Sequence, residues 1–291
     1  MSDDRRLVAV VTGANRGIGK AIVRRLLLQT SKPLIVYLTA RNVDRGQAAF
    51  DELRHEQLKA EPQLSNELRF HQLDVADVDS IQPFIDYLRL MHGAQGVDVL
   101  INNAGGVVRD SSGVVRRCDA DTAYRTVHMN YFTAVSVTSL VLPLMRPRGR
   151  VVFMVTALAH LGIFSGDLPK VLASDDLSLQ GLHIIENGFV SSVGKGTFSA
   201  YGFPPMPFAV AKAGLIAYAR MLARIFARDP RGLIFAAVCP GYVRTDMTGP
   251  YAPLTPDQGA ETPVYVALAD DEKRLYRHNG GLWKHKKPLK W

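Results

Sequence analysis

The sequence predicts an α/β chain, doubly wound, with a mostly parallel sheet covered by helices on both faces. Three observations predict it. Short apolar runs alternate with stretches whose apolar residues recur every three or four positions, the pattern of strands joined by crossover helices. The first run leads straight into a glycine-rich turn that opens a helix. The 291 residues, 47% hydrophobic and 21% charged, can bury one large core, so a single domain over 1–291 is expected.

Taken in order, the predicted strands are Leu7 to Val11, Leu34 to Thr39, Leu68 to Leu73, Val97 to Ile101, Val151 to Val155 and Leu233 to Val238. Helical spacing marks Gly19 to Leu28, Arg45 to Lys59, Val78 to Met91 and Ala123 to Leu144, and the pattern resumes at Phe208. Between about Ala157 and Pro207 the rhythm breaks, with several glycines and four prolines. So long a stretch without structure is unusual inside a compact domain, so short helices forming a lid or wall on the substrate side are expected there.

Composition narrows the function. Cys118 and Cys239 stand far apart and supply neither a disulfide framework nor metal-ligand spacing, so no metal is expected and a reducing, cytoplasmic setting fits. The start, Met1-Ser2-Asp3-Asp4-Arg5-Arg6, has no apolar signal core, and no apolar window of membrane-spanning length is apparent. The net charge of +8 is dispersed, apart from the tail Lys284-His285-Lys286-Lys287-Pro288-Leu289-Lys290-Trp291. A solvated surface beside an anionic ligand explains it better than nucleic acid does, so neither nucleic acid nor membrane is expected as a partner.

The run Thr12-Gly13-Ala14-Asn15-Arg16-Gly17-Ile18-Gly19 joins the first strand to the first helix. Gly13 permits a sharp turn, and Gly17 and Gly19 let backbone approach phosphate and helix approach sheet. The helix's unpaired N–H groups would face the pyrophosphate of a dinucleotide. A carboxylate closing the second strand would suit a ribose 2′-hydroxyl; here the strand ends in Arg41, with Arg16 inside the glycine turn. Two guanidinium groups suit a 2′-phosphate, which points to NADP(H).

Together with Asn102-Asn103-Ala104-Gly105, these residues resemble the short-chain dehydrogenases/reductases. Thr39-Ala40-Arg41-Asn42, Phe70-His71-Gln72-Leu73-Asp74, Cys239 to Met247 and Gly259 to Tyr265 look most like the monomeric carbonyl reductases of that family. The resemblance implies a Rossmann fold with a seven-stranded sheet. It places Asp74 and Val75 near the adenine, and Asn103, Ala104 and Gly105 as supports for cofactor and central strand. Pro240, Gly241, Val243 and Thr245 would pass beside the nicotinamide. It also implies a monomer, because extra sequence before the Phe208 helix would obstruct a pairing surface.

Carbonyl reduction by hydride requires a group to stabilise the oxyanion and one to deliver a proton. The family uses an asparagine, a serine, and a tyrosine four residues before a lysine. The resemblance assigns the asparagine to Asn130 and the lysine to Lys212, which would also reach the cofactor ribose. Thr156 falls where the serine belongs and keeps a hydroxyl. Phe208 falls where the tyrosine belongs and has none. Ser199-Ala200-Tyr201-Gly202 resembles the family's tyrosine segment, but Tyr201 precedes Lys212 by eleven positions, behind Pro204-Pro205 and Pro207. Tyr201 is therefore expected on a loop, either as a substitute acid or as an ordinary surface tyrosine. His160 and His128 are weaker candidate donors. The expected function is an NADPH-dependent carbonyl or quinone reductase acting on a small-molecule carbonyl substrate; the alternative is a catalytically impaired NADP(H)-binding sensor or partner-binding protein.

Overall fold

All six predicted strands form and lie in one sheet. A computed structural model describes residues 6–29, 32–60, 65–94, 96–108 and 118–291, so the opening residues 1–5 lie outside the described residues. The strands are β1 (Leu7–Val11), β2 (Leu34–Ala40), β3 (Glu67–Gln72), β4 (Val97–Asn102), β5 (Met145–Met154) and β6 (Ile234–Val238), followed by β7 (Leu282–Lys284) and β8 (Lys287–Leu289). The sheet runs β3-β2-β1-β4-β5-β6-β7-β8, parallel through β7, with β8 antiparallel. The strand order reverses between β1 and β4, and in open α/β sheets the crevice at such a switch point is where ligands bind.

The eighth strand corrects the implied count of seven. The basic tail folds into a hairpin whose two turn residues, His285 and Lys286, both have positive φ, as the tightest hairpin turns require.

The sheet is buried because every crossover lays an apolar helix face on it. Helices α1 (Gly17–Leu28), α2 (Val43–Ala60) and α3 (Val78–His92) follow the first three strands. Two core clusters result, one containing Ile22, Leu26, Val36 and Ile101, the other Phe84, Tyr131, Phe153 and Tyr218. The predicted Ala123–Leu144 helix runs as α4 (Ala120–Val127), a π-helical turn (His128–Phe132), α5 (Thr133–Val141) and a final 3-10 turn. By length and composition it passes as a membrane span, contrary to the expectation from sequence, yet 56% of its most apolar window is buried inside the fold.

The stretch before Phe208 is more ordered than its composition suggested. Two 3-10 turns (Ala157–Ala159 and Leu161–Ile163) precede α6 (Leu168–Ala173) and the sixteen-residue α7 (Leu179–Gly194). A third 3-10 turn, Phe198–Tyr201, leads to α8 (Pro207–Ile225), and α7 packs on both α4 and α8. After β6 come α9 (Pro256–Leu268) and α10 (Glu272–Arg277), neither foreseen from sequence.

Candidate functional site

The glycine turn lies at the carboxyl end of β1. Gly13 has φ of +61°, and a Cβ there would stand 2.9 Å from the Ala104 backbone, so only glycine lets the turn sit against the end of β4. The turn is fastened from that side. Asn103 Nδ2 donates to the Thr12 and Gly13 carbonyls at 2.9 and 3.0 Å, and the Asn103 and Ala104 N–H groups both donate to Thr12 Oγ1 at 3.0 Å. Asn103 and Ala104 therefore hold the turn itself.

Beyond the turn, α1 begins without a capping side chain, and its first turn carries no acid. Its unpaired N–H groups and positive dipole end are left to an anion. A dinucleotide pyrophosphate fits this cradle, which contains Asn15, Gly17, Ile18 and Gly19.

The two arginines differ. Arg41 is exposed and forms no ion pair among the described residues. Arg16 is not free: its Nη1 meets Asp246 Oδ2 at 2.7 Å, tying the glycine turn to the loop after β6. Sequence could not show this pairing. On that loop, Gly241 and Val243 lead to Thr245, whose methyl group packs toward Gly17. Asp74 caps its own turn by accepting from Ala76 N–H at 3.0 Å, and Val75 packs on the core beside it.

Just beyond the same carboxyl end of β4, three predicted residues come together. A Cβ on Gly105 would stand 2.6 Å from Asn130 Oδ1 and 3.3 Å from Lys212 Nζ, so the chain passes closely between these two side chains. Asn130 is fully buried in the π-helical turn, a distortion that often marks a functional position. Its Nδ2 donates to the Gly106 and Thr126 carbonyls at 2.7 and 2.8 Å, while its Oδ1 accepts from Gly106 N–H at 3.1 Å. With those bonds made, Asn130 locks the Gly106 backbone to the helix.

Lys212 is 4% exposed and makes no hydrogen bond or ion pair among the described residues. Burial pushes its pKa down to about 7, because desolvation disfavours the ammonium form. Its Nζ sits 5.4 Å from the centre of the Phe208 ring, one helical turn earlier on α8. The aromatic face offers the cation a weak attraction where a tyrosine hydroxyl would offer an acid.

Thr156 ends the segment after β5 and caps the Ala157–Ala159 turn, its Oγ1 accepting from Leu158 N–H at 3.2 Å. The hydroxyl accepts there, and it donates to no partner among the described residues. The turn is held from below by Cys239, whose Sγ accepts from Ala157 N–H at 3.2 Å. Tyr201 is not drawn into this group. It is 66% exposed on its own turn, which Gly202 closes against Ser165, and it makes no hydrogen bond among the described residues. His160 is exposed beyond the Thr156 turn, and His128 stacks near Tyr124 and Phe132.

The glycine turn at the first strand is fastened by Asn103, and Asn130 and Lys212 both stand beside Gly105, as the resemblance implies. A family model described as short chain dehydrogenase matches residues 7–166. The chain belongs to the short-chain dehydrogenases. It is similar to carbonyl reductase (NADPH) 1 of Homo sapiens, 39% identical over 265 residues that cover 90% of each chain. The corresponding protein of Sus scrofa is 37% identical over 295 residues, covering 100% of this chain and 96% of that one. Among solved structures, salutaridine reductase from Papaver somniferum superposes with a TM-score of 0.78 at 26% identity, covering 92% of this chain and 97% of that one.

Proposed function

We propose that this chain is an NADP(H)-dependent carbonyl or quinone reductase, built as a single domain over 1–291 whose 157–207 stretch walls the substrate side. The observation that carries the reading is the meeting of Asn130, Gly105 and Lys212 across β4 from the uncapped α1 cradle. The kinship with NADPH-named carbonyl reductases over nine-tenths of the chain supports both cofactor and reaction class.

The cradle would hold the pyrophosphate, Arg41 the 2′-phosphate, and Pro240, Gly241, Val243 and Thr245 the nicotinamide side. Bound there, the cofactor supplies hydride to the acceptor carbon. The residues of the chain then have the oxygen to manage. Thr156 donates its O–H toward it, and Lys212 in its ammonium form, which gains as pH falls below about 7, sets a positive charge in a water-poor pocket, where charge acts strongly. The Asn130 bonds keep the Gly106 backbone from drifting into the space between them. Phe208 can neither donate a proton nor polarise a carbonyl. Activated acceptors such as quinones, whose reduced oxygens need least assistance, are therefore the favoured substrates. Tyr201 takes no part in this reading.

Placement of α7 against α4 and α8 supports a monomer, since the helix covers a surface that would otherwise face a partner. The dispersed charge and paucity of cysteine support a cytoplasmic setting.

A second reading is favoured by one observation: the Phe208 ring stands under Lys212, leaving a complete cofactor cradle beside a site without its acid. The chain would then bind NADP(H) as a sensor. Titration with NADPH and NADH, followed by NADPH oxidation assays on quinones, diones and aldehydes, separates the two. Turnover supports the reductase, and tight NADPH binding without turnover on any acceptor establishes the sensor. Tyr201→Phe is expected to leave turnover unchanged; loss of turnover would restore that tyrosine as the acid.

A further inference from the structure

Trp291 lies two residues beyond β8, yet it reaches back to the wall of the site. Its indole Nε1–H donates to the Ala159 carbonyl at 2.7 Å, and its ring packs on the core cluster that includes Ala159 and Leu172. The Arg220 guanidinium stands over that ring at 5.9 Å. Arg220 in turn extends Nη2 toward the Ala173 carbonyl at 3.5 Å and lies 3.9 Å from Asp175. Ala159 closes the turn that Thr156 caps, and Ala173 closes α6. One indole therefore ties down both the beginning of the 157–207 stretch and, through Arg220, the end of its first helix.

We propose that Trp291 is a positioning residue for the acceptor wall, a role that rests on the reductase reading. Its N–H fixes the carbonyl of the turn that carries Thr156, and its ring fixes the segment that faces the acceptor. The residues of the glycine turn take part in none of these contacts among the described residues. Substitution of Trp291 therefore weakens acceptor binding and leaves NADPH binding unchanged.

The test uses Trp291→Phe in the full chain, which keeps the ring and its stacking on Arg220 but removes the donor; Arg220→Leu separately removes the stacked cation. Each is measured for NADPH affinity, melting temperature and amide exchange along 157–173. Acceptor KM and kcat are measured for each in the natural sequence and in a Phe208→Tyr background. Loss of one buried hydrogen bond predicts a rise of about two- to tenfold in acceptor KM for Trp291→Phe. Exchange should quicken locally over 157–164, with kcat and NADPH affinity within twofold. Turnover with unmoved acceptor KM, or exchange that quickens throughout the protein, overturns the positioning role and leaves the reductase reading standing. Absence of turnover in both backgrounds overturns the reductase reading and the acceptor role with it.

Discussion

At the glycine turn, the Thr12 and Gly13 carbonyls, Thr12 Oγ1 and Asn103 Nδ2 all have partners, and the N–H groups at the start of α1, uncapped by any side chain among the described residues, are the set a phosphate would take. Beside Gly105, Lys212 is buried without a hydrogen bond or ion pair among the described residues, and only the Phe208 ring stands near its Nζ, at 5.4 Å. The difference shows that binding and chemistry are separable within one fold. A cradle made of backbone groups survives many side-chain changes, whereas proton transfer depends on a single oxygen.

Restoring that oxygen should break the contrast most severely. Phe208→Tyr is expected to raise kcat for carbonyl reduction by about 10²- to 10⁴-fold, the usual contribution of a positioned general acid. NADPH affinity should stay the same, as read by fluorescence titration; a variant no faster than the natural protein would show that the reaction end lacks more than its acid. On the nucleotide side, Arg41→Ala should cost about 10- to 100-fold in NADPH affinity and little in NADH affinity, since it removes charge-assisted bonds to a 2′-phosphate. Equal loss for both nucleotides would place the phosphate elsewhere.

Stability offers a third test, behind the reaction end. Glu186 of α7 is fully buried against Gly214 of α8, its Oε2 without a partner, and burial raises its pKa well above the ordinary value. Tyr131, next to Asn130, also has an unpartnered hydroxyl, and its own pKa is raised by burial and by Glu186. For an acid whose folded pKa is raised, no ionisation penalty exists below its unfolded value near 4.5; the penalty grows above it. Glu186→Met should therefore stabilise the protein by about 1–3 kcal/mol at neutral pH. The gain should shrink as pH falls toward 4.5, in denaturant titrations at several pH values; a gain independent of pH would mean that the carboxyl is not the cause.

The smallest effect concerns Arg16. Freed from Asp246 by Asp246→Asn, it should tighten NADPH by no more than about fivefold, because an exposed ion pair is worth about 0.2–1 kcal/mol. Raising the salt concentration should erase the difference.

The sheet and the cradle were legible because they are written locally. Alternation of apolar runs located six strands, five of them to within a residue or two and β5 without its first six residues, and Gly13, Gly17 and Gly19 marked the turn by residue type alone. Asn130, Thr156, Phe208 and Lys212 were legible only as a likeness to the family's motif. What Asn130 does was not, since its three bonds depend on where Gly106 and Thr126 arrive in space. Contacts between distant parts of the chain were invisible for the same reason: Arg16 with Asp246 spans 230 positions and Trp291 with Ala159 spans 132. Helix α7 escaped because its glycines, Gly181, Gly188 and Gly194, weaken helical propensity, while packing on α4 and α8 makes up the loss. Two strands of three residues, rich in lysine, carry too little periodicity to announce themselves.

Those two strands have a consequence of their own. A parallel sheet that ended at β7 would present a row of open N–H and C=O groups to any extended chain nearby. The hairpin puts β8 at that border instead, and β8 offers Pro288, which has no N–H to give, flanked by Lys287 and Lys290. Proline and like charges at an outer strand discourage a second sheet from adding on. The lysines of the basic tail thus stand where they would oppose a further strand joining the sheet. Neutralising Lys287 and Lys290 should shorten the shelf life of concentrated protein before it alters any reaction.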